Sequence, residues 1–186
     1  PSDFGVRSDP PSHPELLDWL ASTFVKDGWS VKRLHRRIML SATYQQASGT
    51  SEALARLDPE NRLLARQNRR RLDFEALRDS LVSASGRLDL TEGGKGANLF
   101  SAPFSARRTV YGLIDRTNLP GTLKVFDVAN PDTHSPQRFQ TTVPQQALFL
   151  LNSPFVQEQA KALAARKEVA GAKEPQAKAR ALYRLA

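Results

Sequence analysis

LDFEALRDSLVSAS, residues Leu72–Ser85, is the stretch that decides the fold. Phe74, Leu77, Leu81 and Ala84 recur at steps of three and four, which puts them on one face of an α-helix. Gly86 follows where a helix end needs a left-handed residue. Nothing in this run alternates as a strand would, so the class it announces is helical.

The same pattern extends toward the N-terminus. Arg71 and Glu75 stand at i,i+4, so Arg69-Arg70-Arg71 reads as a charge-paired helix entry rather than a grip for phosphates or sugar carboxylates. Asp58 followed by Pro59 suggests a capped helix over Pro59–Gln67, and Gln46–Ser51 reads as a polar loop. Ser12-His13-Pro14-Glu15 has the capping-box arrangement, with Leu16, Leu17, Leu20 and Phe24 at helical spacing behind it. Asp27-Gly28 ends that helix. Ser30 starts a second, with Val31, Leu34, Ile38 and Ala42 facing inward and Lys32, Arg33, Arg36 and Arg37 outward. This pair outlines a helix-turn-helix, but the second helix lacks Asn or Gln at its start to read base edges. It reads better as an ordinary hairpin with Trp29 filling the corner.

Toward the C-terminus, Leu88–Ser105 holds Gly93, Gly94 and Gly96 and reads as a loop. A phosphate-binding loop needs Gly five places before the Gly94-Lys95 pair and Ser or Thr after it; Asp89 and Gly96 stand there instead. Arg108–Ile114 alternates enough for a short strand. Further helices are expected from Leu119-Pro120 to Phe126, over Pro144–Leu151, from Ser153-Pro154 to Arg166, and from about Pro175 onward.

Between them, Asp115 to Ser153 packs Asp, Asn, Thr, Pro, Gln and Arg among apolar anchors. Long ordered connections tend to carry function. Arg116, Asn118, Asn130, Asp132, Thr133, His134 and Arg138 are the candidate ligand-binding residues. Asn118-Leu119-Pro120-Gly121 and Asn130-Pro131-Asp132-Thr133 form turns whose side chains bond their own backbone, and Thr141 and Thr142 are placed to cap the helix at Pro144. Asp115, Asp127 and Asp132 are the only nearby carboxylates that could form a glycosidase pair. Turn-capping, and pairing with Arg116 or Arg138, is the plainer reading of them.

Composition narrows the chemistry. The 186 residues include 27 Lys+Arg against 19 Asp+Glu, a net charge of +8, and no cysteine. Disulfides, thiolate catalysis, Cys-bound zinc and iron–sulfur clusters are excluded within the chain. His13, His35 and His134 are too far apart in sequence for metal-ligand spacing, and no Gly-x-Ser-x-Gly elbow is present. No metal site, cofactor or catalytic residue is assigned. The longest apolar run, Ala147–Leu151, is far too short to span a membrane. With Pro1 at one end and a helical pattern running into Ala186 at the other, the chain reads as a piece of a larger polypeptide.

PSDFGVRSDPPSHPELLDWLASTF, RLHRRIMLSATYQQAS, DPENRLLARQNRRRLDFEALRDSL, RRTVYGLIDRTNLPGTLKVFDVANPDTHSPQR and TTVPQQALFLLNSPFV occur in this order. Together they closely resemble the planctomycete-type C-terminal domain of unknown function 1553. The resemblance implies an exported, extracytoplasmic multidomain protein that often carries a cytochrome-c-like domain. It supplies no catalytic residue, and any haem belongs elsewhere, because Cys-x-x-Cys-His is missing here.

The expectation is therefore a mainly α, irregular multi-helix domain spanning 1–186, with long ordered loops and at most a minor β component. Its parts are a helical hairpin at 12–46, central helices at 58–86, a polar loop region at 88–142 and C-terminal helices at 143–186. The leading functional reading is a binding or scaffolding module whose partners are other domains of the same polypeptide or a glycan. Part of a carbohydrate-active, redox-coupled enzyme is the alternative, and nucleic-acid binding ranks third.

Overall fold

A computed structural model describes residues 8–49, 51–135 and 137–186. Pro1–Arg7, the start of the first family-like stretch, lies outside them. The chain is about 49% helical, with nine α-helices among the described residues and no sheet. Its contacts group into two compact units, 1–70 and 71–186.

The first unit holds Pro14–Lys26 (α1), Val31–Met39 (α2) and Glu52–Leu57 (α3). His13 precedes α1, and Ser12 hydrogen-bonds the His13 ring at 2.9 Å instead of capping the helix, so the expected capping box is not formed. The stop at Asp27-Gly28 is as expected. Gly28 adopts φ +69°, its N–H reaches Val25 O, and the Trp29 N–H reaches Phe24 O. Trp29 and Phe24 then touch edge to face at 5.4 Å, the apolar contact that accompanies this kind of helix end. Trp29 does not fill the corner, however; it is 67% exposed. Ser30 caps α2 by accepting the Arg33 N–H. The inward face expected of α2 is only partly realised: Leu34 is half-buried, Val31 and Ile38 are exposed, and the helix ends before Ala42.

The expected helix over Pro59–Gln67 is absent. Asp58 accepts the N–H groups of Arg62 and Leu63 at 2.8 Å each, and Asn61 takes φ +54°. Buried Asn61 donates to Arg66 O and Asn68 Oδ1 and accepts from Arg66 N. Two short polar side chains thus offer the backbone an alternative to helical bonding, and here the alternative wins. The helix lies earlier, at α3, capped by Ser51.

The second unit is built on Phe74–Ala84 (α4). Gly86 at φ +77° closes it as expected, with Gly86 N–H bonded to Ser83 O and Arg87 N–H to Val82 O. The buried stripe is Phe74, Arg78 and Val82, with Leu77, Leu81 and Ala84 half-buried beside it, so the face is turned about one residue from the expected one. Gly121–Val125 (α5), Pro144–Asn152 (α6), Pro154–Ala165 (α7), Lys167–Ala170 (α8) and Pro175–Leu185 (α9) follow. Helix α7 packs on α4, α6 and α8, and α8 on α9. Of these only α8 has no counterpart in the sequence reading. Phe74, Val82, Leu99, Leu123, Phe155 and Val169 form the apolar core.

The strand expected over Arg108–Ile114 is instead a 3₁₀ turn, Thr109–Tyr111, flanked by two isolated bridges, Asp89 to Arg107 and Ala97 to Gly112. Its polar groups are claimed by α4. Asp79 Oδ1 accepts from Thr109 N (2.7 Å) and Oγ1 (2.6 Å), and Arg78 binds the Arg107 carbonyl at 2.9 Å. The glycine-containing loop beside it is pinned by one side chain. The Arg107 guanidinium donates to the carbonyls of Thr91, Gly93 and Lys95 while lying 4.3 Å over the Tyr111 ring. Gly93 and Gly94, at φ +70° and +84°, make the turn that brings these carbonyls to one guanidinium, a structural use for a run that resembles a phosphate loop only in composition.

Candidate functional site

The polar crossing between α5 and α6 folds onto the first turn of α4. Arg138 forms a bidentate pair with Glu75, both bonds at 2.8 Å. Arg71, expected to pair with Glu75, turns away. Its Nη1 donates to Thr141 O (2.8 Å), Thr142 Oγ1 (3.1 Å) and Gln146 Oε1 (2.8 Å). Arg71 stands before Asp73, the N-cap of α4, so it shares no helix surface with Glu75, and several convergent acceptors hold its charged donor instead. Buried Gln146 passes the connection on, donating from Nε2 to Val125 O at 2.9 Å.

Asp127, at φ +57°, receives both the N–H and the hydroxyl of Thr141. Thr141 and Thr142 are therefore spent on Asp127 and Arg71. Neither caps α6, whose N-cap is Val143 without a side-chain bond. Asp115 accepts the N–H and hydroxyl of its own Thr117, and Asn130 Oδ1 accepts the Asp132 N–H. The turn-forming roles expected of Asp115 and Asn130 are thus present. The expected pairing of these aspartates with Arg116 or Arg138 is not.

Arg71, Asp127, Arg138, Thr141 and Gln146 line a cleft of about 230 Å³, with Asp73, Phe139 and Leu150 among its other walls. Phe139 is 81% exposed at its lip. Of the seven candidate residues only Arg138 lines this cleft. Asn118 lines a separate shallow depression with Asp115, Asn98 and Leu113. Arg116, Asn130, Asp132, Thr133 and His134 are exposed and line neither. Arg71, Asp73, Phe139 and Gln146, which also line the cleft, were not among the candidate residues. The apolar-to-polar jump at Phe139-Gln140 was the available signal.

The electrostatics favour charged, committed groups over titrating ones. The Thr117 hydroxyl, helped by its N–H, holds Asp115 below the usual carboxylate range, which suits an acceptor and not a general acid. Hydrogen bonding from Arg138 lowers Glu75 from its ordinary 4.5, and Glu75 in turn raises Arg138. A depressed folded-state pKa contributes stability above the unfolded value, lost as pH falls through the folded value. Wild type is expected to exceed Glu75→Gln by about 1 kcal/mol near neutrality, a figure kept small by solvent screening of a half-exposed pair. Urea titrations of both proteins should show that gap shrinking as the pH drops through and below 4.5; a constant gap would remove the pair from the stability of the crossing.

All the ion pairs among the described residues use Arg: with Asp27, Glu52, Asp79 twice, Glu158, Glu75 and Glu168. No three His, Asp or Glu side chains among those residues come together to hold a metal ion, and no helix is long and apolar enough to cross a membrane.

The helices and the crossing define a mainly α protein whose ion pairs all use arginine among the described residues. The chain belongs to the family described as protein of unknown function DUF1553 (PSD1), which it matches over residues 1–186. No curated protein and no solved structure matches it.

Proposed function

We propose that the domain is a non-catalytic binding or scaffolding module of an exported multidomain protein, working against neighbouring domains of the same polypeptide or a glycan. One observation carries this reading: Arg138, Asp127 and Asp115 of the polar crossing, and Arg71 beside it, are committed to partners within the protein. Arg138 is paired with Glu75, Arg71 with three acceptors, Asp127 with Thr141 and Asp115 with Thr117. A catalytic site would instead gather Asp115, Asp132, His134 and Arg138 in one pocket. The exposed ridge Asn130–His134 and the cleft lip at Phe139 remain free to meet a ligand. An aromatic edge beside polar groups of both signs suits the mixed apolar and hydroxyl faces of a sugar. Export and the company of a haem domain rest on the family resemblance.

The test is a glycan array with thermal-shift measurements on this domain and on a longer polypeptide containing it. Binding without turnover, abolished by Asp132→Ala or Phe139→Ala with the melting profile intact, is the expected result. Those positions are chosen because neither side chain braces the fold, whereas Arg138→Ala would disturb Glu75. Hydrolysis of a bound glycan that stops in Asp132→Asn would overturn the non-catalytic reading.

A further inference from the structure

The first unit carries a second concavity, of about 660 Å³, walled by α1, α2 and the turn at 63–67. Leu16, Trp19, Leu20, Ile38, Leu63 and Leu64 supply its apolar surface. Arg37, Arg66 and His13 also line it, and none of its lining residues is Asp or Glu. Arg37 lies 5.6 Å over the Trp19 ring, so aromatic and cation share one wall. Neither α1 nor α2 buries a single residue, although both carry large apolar side chains. Helices of ordinary length gain most of their stability by packing an apolar face, and these two faces are largely uncovered.

We propose that this groove docks an acidic, amphipathic polypeptide segment. Charge selects the occupant: the lining carries Arg37, Arg66 and His13 with no carboxylate, while Lys32, Arg33 and Arg36 stand on α2 outside that lining. Arg37 is ion-paired with Asp27 and the Arg66 charge acts on Asp58, and neither carboxylate lines the groove. A second copy of this chain, at net charge +8, would bring like charge against like. Extent argues for a polypeptide over a small molecule. Arg37 also borders a second depression with Arg33, Arg36 and the exposed Leu40, so a ligand longer than the groove would meet further apolar and basic surface there. An apolar face laid into a groove with charges on the rim is a recurring way to recognise a helix. This inference does not depend on the polar crossing in the other unit and can fail without it.

The chain's only two tryptophans are both in this unit, Trp19 in the groove and Trp29 outside it. In a Trp29→Phe protein, emission therefore reports Trp19 alone. The 186-residue chain is titrated with a synthetic helical peptide bearing Leu on one face and Glu on the other, and with the same peptide carrying Lys for Glu. A saturable blue shift with the Glu peptide is expected, weakened at least about tenfold in Ile38→Asp and with the Lys peptide. Leu64→Asp serves if circular dichroism shows that Ile38→Asp fails to fold. Equal response to both peptides, or none to either, overturns the proposal. So does a shift that follows protein concentration without peptide, which assigns the groove to a second copy. Saturation by a long-chain alkyl sulfate that the Glu peptide cannot displace overturns it in favour of a small amphiphile.

Discussion

Arg78→Met will lower the unfolding free energy by about 3–5 kcal/mol, the cost of removing one partner from a buried charged network. Arg78 is 1% exposed in the middle of α4. Its guanidinium donates to the carbonyls of Ser105 and Arg107 and to Thr109 Oγ1, and stacks 5.1 Å over Phe155. Burial pushes the group below its ordinary value, and neighbouring Asp79 pulls back. Met fills similar space and can keep the contact with Phe155, so the loss isolates the orphaned acceptors. Replacing both halves of a buried ion pair by apolar groups can be neutral; here two acceptors are backbone and cannot be replaced. Guanidinium unfolding of wild type, Arg78→Met and Arg78→Lys decides it. Lys keeps the charge but not the forked geometry, so it should recover only part of the loss. A Met variant within about 0.5 kcal/mol of wild type, the range of ordinary surface changes, would remove Arg78 from its central role.

Phe74→Ala should cost about as much, roughly 3–5 kcal/mol, by lost transfer and a residual cavity. Phe74 is 3% exposed and meets three rings: Phe126 at 5.1 Å, Phe149 at 6.1 Å and Phe100 at 6.2 Å. It joins the start of α4 to α5, α6 and the loop at 98–101, so the Phe74 cavity opens directly beneath the crossing. Phe74→Leu, which keeps most of the volume, should lose much less. A calorimetric comparison in which the Ala and Leu variants melt together would show that the aromatic cluster is not a stability centre.

Both predictions rest on α4, and α4 shows how far residues alone could be read. Its period, its end at Gly86 and its helical class follow from local spacing, because a 3.6-residue repeat needs no knowledge of what lies opposite. The starts of α1, α6, α7 and α9 at Pro, and the stop of α1 at Gly28, follow for the same reason: Pro and Gly act on their own turn of backbone. The centre of the buried stripe did not follow. Hydropathy places Arg78 on the wet side, and only carbonyls from 27 and 29 residues away make its burial favourable.

The misassigned segments share that physics. Pro59–Gln67 has a helical pattern, but Asp58 and Asn61 bond its backbone in another shape. Arg71 and Glu75 have the spacing of helix neighbours, yet α4 starts after Arg71 and each finds its partner more than sixty residues on. In the crossing, the turn roles of Asp115 and Asn130 were legible because each bonds two residues away. The cleft was not, since it assembles Arg71, Asp127, Arg138 and Phe139 from distant stretches.

Helical class, most helix ends, the self-bonding turns and the family all follow from order along the chain, where each cause lies within a few residues of its effect. Which cation meets which acceptor, which face of α4 is dry, and where the two concavities open came only from folding. Those outcomes are contests between local partners and remote ones, and the remote competitor is invisible until the chain has brought it within hydrogen-bond reach.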